Sequence, residues 1–213
     1  VSRSAWIVVL VLTLPAQARS PGAADFERGF QYQSGNGVAI DMEMAQRYYK
    51  RALDKDPDLF PALYNTALIY YDGERYPDAR VHFVKAARSA QGSGRKPDEA
   101  LARNGLGTCY QKTGKTGKAE REFAAAIQLA PSLVEAHFNL VNLLVAEERL
   151  EEAKRAKLRA EQWAPSDRYE LFEGRMRGRE SRATWQPVEI KIAAAIMIGG
   201  LFLYWIYVRI KRQ

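Results

Sequence analysis

Residues 106–131 read LGTCYQKTGKTGKAEREFAAAIQLAP, and the spacing inside this stretch decides the fold. Leu106, Gly107 and Tyr110 fall at helical intervals. A glycine-bearing turn follows, and then Ala119, Phe123 and Ala126 recur four and three residues apart before Pro131 closes the segment. Residues three and four apart share one face of an α-helix. The stretch is therefore predicted to form two antiparallel helices joined by a short turn. Small residues at Gly107 and Ala119 let the helices approach, and Tyr110 and Phe123 fill the space beside them. One such hairpin cannot bury its own apolar face, so it needs neighbours of the same kind.

The neighbours are present. Ala-x3-aromatic-x2-Ala occurs at Ala45, Tyr49 and Ala52, at Ala79, Phe83 and Ala86, and at Ala119, Phe123 and Ala126. A fourth copy has Ala153, Lys157 and Ala160, with lysine at the aromatic position. Ala45 to Ala79 is 34 residues, and Ala119 to Ala153 is again 34. Ala79 to Ala119 is 40, because QGSGRK is inserted near Ser93. Upstream, Ala67 and Tyr70 match Gly107 and Tyr110, and Leu140, Val141 and Leu144 take that place in the last copy. Pro57, Pro131 and Pro165 close three of the units.

This pattern, L-G-x-x-Y followed by A-x-x-x-F-x-x-A and Pro, resembles the tetratricopeptide repeat family. The first unit, GFQYQSGNGVAIDMEMA, has four extra residues between its helices and resembles the Sel-one-like variant of the same hairpin. Gly35 and Gly37 permit positive φ in that longer turn, and Asp41 can cap the second helix. The resemblance implies an all-α fold: a right-handed α-solenoid of four hairpins at about 21–57, 58–93, 98–131 and 132–165, within a repeat domain over residues 19–165. Residues 166–187 are read as a capping helix, in SDRYELFEGRMRG, and a linker.

The two ends suggest a membrane context. Residues 1–18 carry Arg3, an apolar run from Ala5 to Leu14 and then Ala16-Gln17-Ala18, the arrangement of a secretory signal peptide, either cleaved after Ala18 or kept as a signal anchor. Residues 188–208 include seventeen uncharged residues from Ile192 to Val208, followed by Arg209, Lys211 and Arg212. About twenty helical residues reach across a bilayer core of about 30 Å, and Tyr204, Trp205 and Tyr207 suit its interface. The expectation is one C-terminal transmembrane helix, a cytoplasmic tail at 209–213, and repeats facing the periplasm from a bacterial cytoplasmic membrane. Ala195 and Gly199 form a small-xxx-small pair that can pack against another span.

The net charge is +7, but residues 19–165 hold only +2 of it. The excess lies in the ends, which argues against nucleic acid as partner. One cysteine, Cys109, excludes an internal disulfide, and two histidines, His82 and His137, exclude the usual structural zinc site. No P-loop, dinucleotide fingerprint or nucleophile elbow appears, so no cofactor, metal or catalytic residue is expected and an enzyme is not. Cys109 falls at a small, buried position and reads as core filler.

What remains is binding. By the family's register the first helix of each unit lines a concave groove, here with Tyr64, Asn65, Leu68, Tyr71, Asn104, Thr108, Gln111, Phe138, Asn139 and Asn142. Asn and Gln carry donor and acceptor together, which suits the backbone of an extended peptide, and aromatics add area at low entropic cost. Family members that grip acidic chaperone tails use Lys and Arg, whereas the corresponding positions hold Phe26, Phe30, Asn65, Leu101 and Gly105. The sequence thus points to a membrane-anchored scaffold binding a protein or peptide partner within an envelope complex. The alternative is a spacer subunit of a transport or secretion complex, acting through its membrane helix.

Overall fold

A computed structural model describes residues 20–163. They form eight helices: α1 (Ala23–Ser34), α2 (Met42–Lys55), α3 (Phe60–Asp72), α4 (Tyr76–Gly92), α5 (Lys96–Lys112), α6 (Thr116–Leu129), α7 (Val134–Ala146) and α8 (Leu150–Ala160). No strand occurs among the described residues. Each helix packs on the next along the chain, and α5 also touches α3 and α7.

Local chemistry sets the boundaries. Asp41 caps α2 by accepting from the Met44 amide at 2.9 Å, as its position suggests. Helices α3, α4 and α5 each begin with a proline in the first two positions, Pro61, Pro77 and Pro97, where the missing amide proton costs nothing. The turns inside units two, three and four share one geometry. Glu74, Gly114 and Glu148 adopt φ of 59°, 72° and 62°. The next amide in each, from Arg75, Lys115 and Arg149, donates back to Tyr70, Tyr110 and Leu144 at 2.8–2.9 Å. This left-handed closure ends one helix and aims the next. The first unit differs: seven residues, 35–41, separate α1 from α2, against three in the other units.

The core follows the repeat. Tyr49, Phe83 and Phe123, equivalent in three units, are at most 1% exposed. Each lies over a glycine of a facing helix. A Cβ on Gly29 would stand 2.8 Å from Tyr49, one on Gly105 2.4 Å from Phe83, and one on Gly107 2.5 Å from Phe123. Alanines 45, 52, 67, 79, 86, 119 and 126 are fully buried around them. Phe60, Leu63, Ala86, Ala90 and Ala102 make one cluster across α3, α4 and α5. Ala119, Phe123 and Leu143 carry the packing on to α7. Cys109 is 1% exposed within the Phe83 cluster, and burial pushes its thiol up to about 12, so it stays protonated.

The assignment to a bacterial cytoplasmic membrane, with a single span and a periplasmic domain, is corrected here. No helix of the described residues is long and apolar enough to cross a membrane. The longest, α4 and α5, have 17 residues, about 25 Å at 1.5 Å per residue and short of a core of about 30 Å. The leader 1–18, the capping helix and linker 166–187, the segment 188–208 with Ala195 and Gly199, and the tail 209–213 lie outside the described residues.

Candidate functional site

Between units two, three and four the first helices touch in turn, α3 with α5 and α5 with α7. Their free faces therefore form the inner side of the stack. Glu135 on α7 even raises the pKa of Tyr64 on α3, two units away. Sequence inspection overlooked Glu135. It stands 34 residues after Leu101, and counting in the repeat register finds it.

Ten residues were expected on this inner side. Asn104 and Asn139 are brought together: the Asn139 amide donates to the Asn104 carbonyl oxygen at 2.9 Å, joining α5 to α7. Tyr71 and Thr108 meet across α3 and α5, with Thr108 within reach of the Tyr71 hydroxyl. The Thr108 hydroxyl donates to the Gly105 carbonyl at 2.7 Å. Gln111 and Asn142 are half-buried and make no side-chain hydrogen bond among the described residues. Phe138 is 36% exposed.

The remaining three face more of the protein. Asn65 is 7% exposed and donates to the Tyr49 hydroxyl at 3.2 Å, which in turn donates to the Gln33 side-chain oxygen. A polar chain thus crosses from α1 through α2 to α3. Its origin is local, because Tyr49 occupies the position where units two and three have phenylalanine. Tyr64 stacks on Phe60 at 5.6 Å and meets Phe83 edge-on at 5.6 Å. Leu68 packs half-buried against the Phe83 cluster.

Burial, with Glu135 second, pushes the Tyr64 phenol up to about 12. Burial also raises Tyr49 and Tyr71. These phenols stay neutral in the fold, while unfolded tyrosines ionise near pH 10. Their contribution is complete below pH 10 and is lost as pH rises through the folded values. Stability measured by urea unfolding should begin to fall above about pH 8.5, where Cys109 ionises in the unfolded chain, and fall more steeply between about pH 10 and 12, where the tyrosines do. Tyr64→Phe should make that fall shallower, and an unchanged slope would contradict the assignment.

Charge reinforces the inter-helix register. Arg103 on α5 pairs with Glu99 at 2.7 Å and with Glu122 of α6 at 3.2 Å. Arg149 pairs with Glu120 of α6 at 2.6 Å and with Glu152 at 2.7 Å, and these partners raise its pKa. Among the described residues no trio of His, Cys, Asp and Glu gathers as a metal site would require.

The tetratricopeptide repeat family pattern matches residues 58–132, and a second form of it matches residues 106–167. The stack is a tetratricopeptide-repeat solenoid. Similar helical stacks occur among solved structures. PilF of Pseudomonas aeruginosa superposes with a TM-score of 0.59 at 19% identity, over 68% of this chain and 62% of that one. The first such domain of Spaghetti (RPAP3), bound to the HSP90 peptide SRMEEVD, superposes with a TM-score of 0.52 at 18% identity, over 63% of this chain and 99% of that one. By sequence, 96 residues are 30% identical to the CTR9 homolog of Arabidopsis thaliana. That match spans 45% of this chain and only 8% of the relative's length.

Proposed function

We propose that this tetratricopeptide stack is a non-catalytic interaction scaffold that holds an extended segment of a partner protein along the first helices. The observation that carries the reading is the joined pair Asn104 and Asn139, flanked by exposed Phe138 and by the unengaged amides of Gln111 and Asn142. An amide row of this kind can follow a peptide backbone, while the aromatic ring gives one anchor. The same fold in the Spaghetti domain holds an acidic peptide. Here the positions that would clamp carboxylates hold Phe26, Phe30, Asn65, Leu101 and Gly105, so the segment taken is read as uncharged. The first unit is read as the Sel-one-like variant, in keeping with its seven-residue turn and the positive φ of Gly35 and Gly37.

A photo-crosslinker placed at Gln111 or Phe138 of the full chain should capture the partner. One placed at Arg88, exposed on α4, should not. Replacing Asn104, Phe138 and Asn139 together by alanine should weaken capture about tenfold or more, with the helical circular dichroism unchanged. Equal capture from Arg88, or full capture by the triple variant, would overturn the reading.

A further inference from the structure

Asn65 and Asn139 hold the same place in the repeat, two residues before Ala67 and Val141. Unit three has Gly105 there, and the Phe83 ring fills the space a side chain would need. Both asparagines turn the same way. Asn139 donates its amide hydrogen back to Asn104 of the preceding unit at 2.9 Å. Asn65 donates back to Tyr49 of the preceding unit at 3.2 Å. Each is left with a carbonyl oxygen that accepts no hydrogen bond among the described residues. The Asn65 oxygen is not sealed from solvent, although the residue is only 7% exposed. Asn104 is the complement, since its oxygen is taken by Asn139 and its own amide hydrogens are not engaged. Along α3, α5 and α7 the free groups therefore run acceptor, donor, acceptor.

The orientation at α3 is decided away from the inner side. The nitrogen and oxygen of a carboxamide differ little in size, so the partners decide which way it faces. A tyrosine hydroxyl serves either orientation, because it can donate or accept. Here its proton is committed, for Tyr49 donates to the Gln33 side-chain oxygen on α1. Tyr49 can then only accept from Asn65, and the Asn65 oxygen is turned outward. Tyr49 is fully buried, so water does not replace either partner. Units two and three have Phe83 and Phe123 at the place of Tyr49, so the ring alone meets the needs of packing and the hydroxyl is an addition.

We infer that Gln33 and Tyr49 are positioning residues that hold the Asn65 amide with its carbonyl oxygen outward, so that the groove takes a segment with a main-chain N–H, and not a proline, opposite Asn65. The inference rests on the reading of the inner side as a peptide groove. Proline has no N–H to give, and the half-buried acceptor opposite it would be left unpaired.

The test uses the full chain and a displayed library of peptides without Asp, Glu, Lys or Arg. About nine residues suffice, since an extended chain at about 3.4 Å per residue then crosses four first helices about 10 Å apart. The tightest peptide is resynthesised with an N-methyl group at each residue in turn, and each version is titrated calorimetrically. One N-methyl group should weaken binding about tenfold to the unaltered chain and have no effect on binding to Asn65→Ala, which marks the residue opposite Asn65. In Tyr49→Phe that same penalty should fall to about twofold or less, because the amide is free to turn over. Gln33→Met leaves the Tyr49 ring in place but releases its proton to Asn65, and should lower the penalty likewise. An undiminished penalty in both variants, or no penalty that vanishes in Asn65→Ala, overturns the inference and leaves the groove standing. If no library peptide binds, or if binding is undisturbed when Asn104, Phe138 and Asn139 are all alanine, the groove reading falls and this inference falls with it.

Discussion

Phe123→Ala should cost about 3–5 kcal/mol, the largest loss expected from a single side chain in this stack. The ring is fully buried. It rests on the bare backbone of Gly107 and packs with Ala119, Leu143, Tyr110 and Leu140. One side chain therefore joins three helices, α5, α6 and α7. Domains are stable by about 5–15 kcal/mol in total, so the loss is a large part of the whole. In a repeat stack it should also be felt unevenly. Urea unfolding followed by circular dichroism should show a first transition of α6 to α8 separating from a second of α1 to α5. A single transition displaced by less than about 1 kcal/mol would show that Phe123 is not the join described here.

Gly105→Val works in the opposite direction, by adding atoms. A Cβ at Gly105 would lie 2.4, 2.6 and 2.8 Å from three carbons of the Phe83 ring. That ring is 1% exposed and is held edge-on by Tyr64, so it cannot swing aside. The expected cost is about 3 kcal/mol, at the upper end for overpacking. The origin of the cost can be separated from any effect on helix propensity. In a Phe83→Leu background the ring is gone, and Gly105→Val should then cost much less than it does alone. That non-additivity is the signature of two groups sharing one space. Gly92→Ala is the control, since a Cβ there meets nothing within 4 Å and stability should hold. If the two substitutions at Gly105 and Phe83 simply add, the contact is not the cause.

The hairpins were legible because their signal is geometric and repeated. Gly107, Tyr110, Ala119, Phe123 and Ala126 sit where helical periodicity places one face, and the same intervals return at Ala67, Tyr70, Ala79, Phe83 and Ala86. The capping role of Asp41 was equally local, an acid just before an apolar-periodic run. The inner side was legible only as a set of positions. That Asn65 would be buried depends on Tyr49, a residue of another unit whose hydroxyl needs a partner once it leaves water. That Tyr64 would be held between Phe60 and Phe83 depends on two helices meeting it from different directions. Such facts belong to curvature and to pairs of residues, and a register applied to one unit at a time does not contain them.

Among the described residues each helix leans chiefly on the one before and the one after, with α3 on α5 and α5 on α7 as well, and no helices further apart make an extensive contact. Small rotations at seven successive joints add along the chain. The stack is in this sense a spring: its inner channel can widen or narrow by slight twists at every joint, with each buried ring still seated on its glycine. Stiffness, and hence the girth of what the channel will accept, is set at those ring-on-glycine seats.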